Sequence, residues 1–115
     1  MKKEEKIICD FMFDFVDKNW AKINKGKSGI KESKIEFLKI VKSDINQALW
    51  VLTEVCSWAM NKKYLEELYV DFHNSDECNF FVIKIKNKYI KIEYNGSSSY
   101  IVNFVKPEIK KLIYF

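Results

Sequence analysis

Arginine is missing from this chain. All 20 basic residues are lysine, against 16 aspartates and glutamates, for a formal charge of +4. The absence removes the side chain best shaped for two-pronged recognition of phosphate or guanine. It also changes what the lysines mean. Lys, Asn, Ile, Tyr and Phe make up half of the chain, the bias of a very AT-rich coding sequence, so lysine abundance alone says little about phosphate binding. Cysteine is scarce and odd in number: Cys9, Cys56 and Cys78 share no repeated spacing. A disulfide framework needs an even set in an oxidising compartment, so free, buried thiols are expected. Histidine and proline occur once each and glycine three times. No apolar run reaches the roughly 18 residues needed to cross a bilayer, because Glu54 interrupts the best candidate. The opening MKKEEKIICDFMFDF does not read as a secretory leader, since acidic residues follow the lysines at once and Asp10 and Asp14 break the apolar segment. A cytoplasmic protein with no membrane association is expected.

What the chain has is apolar residues, 48% of the total with 16% aromatic, which argues for a folded domain and against disorder. At 115 residues the length suits one domain, residues 1–115, with one core. That core is centred on residues 45–60, INQALWVLTEVCSWAM, where Leu38, Val41, Ile45, Ala48, Leu52, Val55 and Ala59 recur at steps of three and four. Trp50 and Trp58 fall on the opposite side of that helix, flanking Glu54, so it has apolar surface to cover on both faces. Before it, Ile7, Ile8, Phe11, Met12, Phe15, Val16, Trp20 and Ile23 mark an amphipathic helix over residues 4–23, ended by NKGKSG at 24–29.

Ser33 with Glu36 forms a capping box that starts the second helix, and Asp44 with Gln47 is a further start signal inside it. Because the stripe keeps phase, one continuous or kinked helix over residues 33–63 is expected. At 1.5 Å per residue it would be about 45 Å long, more than a compact domain of this size accommodates without a break near Ser43 or a projecting end.

From Leu65 the apolar period changes from about 3.6 to 2, the signature of strands. LYVDF (68–72), NFFVIKIK (79–86), YIKIEYN (89–95) and YIVNFVK (100–106) read as a four-stranded antiparallel meander. Asn87 and Lys88 join the middle pair, which sets Ile85 opposite Ile90, Ile83 opposite Ile92 and Phe81 opposite Tyr94. The face with Val70, Phe72, Ile83, Ile85, Ile90 and Ile92 is expected to pack on the central helix. Pro107 then opens a short terminal helix, PEIKKLIYF. The expected fold is α+β: two N-terminal helices, one long and central, on the four-stranded meander, with the short C-terminal helix.

The other face of the sheet carries Phe80, Val82, Lys84 and Lys86 on one strand and Tyr89, Lys91 and Glu93 on the next, with Lys84 directly opposite Lys91. Lysines among aromatics on a sheet are what single-stranded nucleic-acid binders use, and they are also an ordinary solvated face in a lysine-biased chain. A second basic region, residues 22–42, suits long-range attraction of an acidic partner. GKSG at 26–29 lacks the earlier glycine and preceding strand of a phosphate loop. His73, among Asp71, Asp76, Glu77 and Cys78, matches no spacing that zinc favours, and the segment reads as a polar turn. A thiol nucleophile would need Cys56 or Cys78 beside His73.

No catalytic residues, metal or cofactor are assigned. Trp50, Trp58, Phe80 and Tyr89 are the candidate partner-binding residues, the tryptophans being core if the first helix covers them and interface anchors, as in an isologous homodimer of two crossing helices, if it does not. The chain is expected to be a non-enzymatic binding module of the inhibitor, immunity, antitoxin or phage-accessory kind, bacterial or phage in origin. Its partner would be another protein, one with an acidic surface. The rival is a nucleic-acid or nucleotide binder using Lys84, Lys86 and Lys91.

Overall fold

The structure, a computed structural model, describes residues 1–25, 30–74, 79–94, 100–107 and 112–113; for residues 57–58, 71–74, 79, 107 and 112–113 it describes the backbone alone. The fold is α+β, helices first and antiparallel sheet last, and it forms two compact units, Met1–Asn61 and Lys62–Phe115.

The first unit is helical. Its first helix, α1 (Lys3–Lys25), begins with Glu4 and Glu5 and ends with Lys22 and Lys25, charges that oppose the helix dipole at each end. It bends at Asn19 (φ −116°, ψ 17°), whose side-chain amide donates to the Phe15 carbonyl at 2.9 Å and so competes with the helical ladder. Ile8, Cys9, Met12, Val16 and Ile23 are fully buried along one side of it.

The second helix, α2 (Lys34–Ser43), starts where the capping box lies: the Glu36 amide donates to Ser33 Oγ at 3.3 Å and the Ser33 hydroxyl donates to Glu36 Oε1 at 3.1 Å. The continuous or kinked helix expected over residues 33–63 is broken beside Ser43, one of the two ways its excess length could be accommodated. At Asp44 the backbone is extended (φ −124°, ψ 108°), and its carboxylate caps the next helix by accepting from the Asn46 amide at 2.9 Å. On the other side of the break, the Ser43 hydroxyl donates to the Lys39 carbonyl at 2.8 Å. Two adjacent short polar side chains thus bind backbone groups that a continuous helix would use, and the stripe's phase does not prevent the stop.

From Asp44 the chain runs as α3 (Ile45–Trp50), a π-helical turn (Val51–Val55) and α4 (Cys56–Ala59), ending where Met60 turns extended (φ −97°, ψ 150°). Within the wide turn the Cys56 amide donates to the Val51 carbonyl, five residues back, and the Thr53 hydroxyl takes the Leu49 carbonyl at 2.9 Å. Ala48, Leu49, Val51, Leu52, Val55, Cys56 and Ala59 are buried and Glu54 is exposed, as the apolar stripe requires.

The second unit opens with α5 (Lys62–Leu68) and continues as β1 (Tyr69–Asn74), β2 (Asn79–Ile85), β3 (Lys88–Tyr94) and β4 (Tyr100–Pro107), paired antiparallel in chain order. β1 carries a bulge between Tyr69 and Asp71. The expected terminal helix differs: Leu112–Ile113 forms β5, paired with β4 through Lys106–Ile113 and Pro107–Leu112, while residues 108–111 lie outside the described residues. Nine residues are too few for periodicity to separate helix from strand, and the β-branched and aromatic content of the tail favours the strand.

The β2–β3 hairpin turns one residue earlier than expected. Lys86 (φ 50°) and Asn87 (φ 64°) are its central residues, both left-handed as a type I′ turn demands. Phe81 therefore faces Ile92, Ile83 faces Ile90 and Ile85 faces Lys88, a slip of two residues from the sequence-based register. An even slip leaves the side chains that stay within the two strands on their expected faces, so Ile83, Ile85, Ile90 and Ile92 remain together and buried. It does dissolve the like-charge pair: Lys84 lies opposite Tyr89, and Lys91 lies opposite Val82. Avoiding two facing lysines while matching Phe81 to a β-branched neighbour is the physical gain of the observed register.

Candidate binding surfaces

In the helical unit the first candidate surface is aromatic. Phe37 of α2, 2% exposed, lies between two half-buried tryptophans, with ring centroids 6.0 Å from Trp20 of α1 and 6.4 Å, edge to face, from Trp50 of α3. Trp50 is thus part of an aromatic cluster while keeping an exposed side; the Trp58 side chain lies outside the described ones. Lys34 bridges to Asp17 at 3.0 Å beside this cluster, and Lys42 sits 4.9 Å above the Phe13 ring. Ile35, in the capped first turn of α2, is 69% exposed, the most exposed large hydrophobic residue described.

Cys9 and Cys56 are buried in the same unit. Burial, with the nearby charges of Asp10, Glu5 and Asp44 adding to it, pushes the Cys9 thiol up to about 11, and burial alone pushes Cys56 up to about 12. Both are protonated at neutral pH, the opposite of an activated nucleophile. Cys78 lies outside the described residues, and of His73 the backbone alone is placed, opposite Phe80 on β2. Among the described residues no group of three His, Cys, Asp or Glu side chains is arranged to hold a metal ion, and no helix is long and apolar enough to cross a membrane.

On the sheet, the face away from the isoleucines is not an open polar surface. Phe80, Val82 and Val105 are buried there in a small apolar cluster with Tyr89 packed against it. Lys91 is only 7% exposed; its stem is covered and its ammonium lies 5.5 Å from the Phe80 ring centre. Lys84 lies 5.7 Å over Tyr89, and on the opposite face Lys88 lies 5.9 Å over Phe104. Phe80, Tyr89, Lys84 and Lys91 are therefore brought together as the sequence placed them, but as lysine-capped rings. Lys86 is not on that face at all, because it occupies the turn.

The sequence reading overlooked Lys88 and Phe104, which meet at the same end of the sheet; moving the turn to Lys86–Asn87 is the signal that would have found them. At the far end of β3, Tyr94 and Tyr100 pair at 5.6 Å, with Tyr94 42% and Ile101 43% exposed.

These surfaces belong to an α+β chain whose sheet is an antiparallel meander. No protein-family model matches it, and no curated protein or solved structure shows significant similarity to it.

Proposed function

We propose that this protein is a small non-enzymatic binding module whose partner is another protein presenting an acidic surface. The observation that supports this most is the state of the aromatic rings on the sheet. Phe80, Tyr89 and Phe104 each have one of the protein's own lysines over the ring, at 5.5, 5.7 and 5.9 Å. A single-stranded nucleic acid gains much of its affinity by stacking bases on exposed ring faces, each stack being worth about 1–3 kcal/mol. Here a base would first have to displace a lysine held by a cation–π contact. The charges of Lys84 and Lys88, both exposed, stay available to carboxylates, which need no ring. The lack of arginine favours the same reading, because carboxylates on a protein surface are served by point charges whereas guanine and phosphate favour the guanidinium fork.

The test is affinity capture of the tagged protein from lysate of its own host, with and without nuclease. A stoichiometric protein that stays bound after nuclease is the expected result. Nucleic acid in the untreated sample, with nothing left after nuclease, would replace this reading with a nucleic-acid binder.

A further inference from the structure

Four exposed lysines of the sheet unit stand at one end of the sheet. Lys84 is the penultimate residue of β2, Lys86 stands in the turn, and Lys88 opens β3 opposite Ile85; all three are exposed. Tyr89 pairs with Val105, so the next residue of β4, the exposed Lys106, falls at the same end. Of the described carboxylates of this unit, Glu93 lies opposite Phe80 at the other end of β3, whereas Glu66 and Glu67 are on α5, which leads into β1 beside the end of β2. Glu66 is 3.8 Å from Lys62, and among the described residues Lys84, Lys86 and Lys88 form no ion pair.

A second feature singles out the same spot. Lys86 is held at φ 50°, in the left-handed region that glycine and asparagine occupy easily and that costs a side chain with a Cβ about 1 kcal/mol or more. Asn or Gly would form this turn better. A lysine there sacrifices local stability while holding a third positive charge at the hairpin's tip, between two others. Strained backbone that a better residue would relieve is a mark of function.

We propose that the β2–β3 hairpin tip is the docking element for a carboxylate-rich segment of a partner protein, contacted by Lys84, Lys86 and Lys88. This rests on the binding-module reading above and assigns it a surface and a partner chemistry. Tyr89 and Phe104 lie under the ammoniums of Lys84 and Lys88, contacts that bias two of the three side chains before the partner arrives.

Lys86→Asn tests the proposal because its two effects have opposite signs. It suits the left-handed turn, so the thermal midpoint rises by about 2–5 °C; it removes a docking charge, so binding weakens about three- to tenfold. The first probe is a 12-residue glutamate-rich peptide titrated into isotopically labelled full-length protein. Amide shifts centred on residues 84–89, weakened by Lys86→Asn and lost in the Lys84→Glu, Lys88→Glu double variant, are expected. Shifts mapping to the helical unit, or equal affinity for all three proteins, would overturn the proposal, as would tighter binding of a single-stranded oligothymidine at the same tip.

Both sets of substitutions are at exposed positions, and circular dichroism establishes that the variants are folded. Repeating the lysate capture separates the two readings. A nuclease-resistant partner held by the wild type and lost by the double variant, together with peptide shifts at the tip, supports the hairpin. A partner held equally by both sinks the hairpin and spares the binding module; no partner in either case sinks both.

Discussion

At the scale of single residues, burial decides what the titratable and aromatic side chains can do. Cys56 is the clearest case. Removal from water raises its thiol from the ordinary 9.0 to about 12, and Cys9 rises from 9.0 to about 11. Below pH 9 both folded and unfolded chains keep these protons, and the thiols add no pH dependence. Above it the unfolded chain releases them while the native protein holds them, so stability falls as pH rises toward 11. Each thiol contributes a slope of up to about 1.4 kcal/mol per pH unit. Denaturant unfolding at several pH values between about 8.5 and 10.5 is expected to give a shallower decline for Cys56→Ala than for the wild type, whatever the substitution does to overall stability. An unchanged slope would mean that Cys56 is accessible to water. The same principle governs Lys91, whose covered stem and position above Phe80 make it part of the packing of its face.

At the scale of elements, short polar side chains overrule apolar periodicity. Asp44 interrupts a helix whose apolar stripe runs straight through it, because its carboxylate satisfies the Asn46 amide at the start of α3. Asp44→Ala removes that cap and is expected to cost about 1 kcal/mol of unfolding free energy, whereas Asp44→Asn, which keeps the acceptor, costs little. Equal losses for both, measured by denaturant unfolding, would assign the break to packing. This element also shows what was legible. The capping signals at Ser33 and Asp44 and the amphipathic first helix each depend on residues within a turn or two of one another, and the chain obeys them, whereas the change of period expected at Leu65 comes only at Tyr69, after the helix α5. The hairpin register depends on which of two adjacent pairs, Lys86–Asn87 or Asn87–Lys88, takes positive φ. Propensity barely separates these, and cross-strand matches two strands wide settle it. The candidate surfaces fared accordingly. Phe80, Tyr89, Lys84 and Lys91 were correctly grouped on one face, because an even slip preserves faces. The displacement of Lys86 from that face, the meeting of Lys88 with Phe104 and the lysines lying over rings are visible only in the fold.

At the scale of the whole molecule, a charge of +4 carried entirely by lysine sets how a partner is met. Exposed charges act across a Debye length, about 8 Å at physiological ionic strength and about 10 Å at 0.1 M. Lys84, Lys86 and Lys88 lie around one hairpin turn, so an acidic surface approaching the tip meets the three charges together. Such fields mainly accelerate encounter, whereas close contacts set the lifetime of the complex. For the partner recovered by capture, the association rate constant measured by stopped flow is therefore expected to fall about tenfold or more between roughly 0.05 and 0.5 M NaCl, while dissociation changes by no more than about twofold. The double variant at Lys84 and Lys88 should associate slowly even at low salt and show little further dependence. An association rate that is flat with salt in the wild type would instead point to apolar recognition, with Ile35 and the exposed side of Trp50 as the surface to examine, and the lysines of the hairpin would then serve solvation alone.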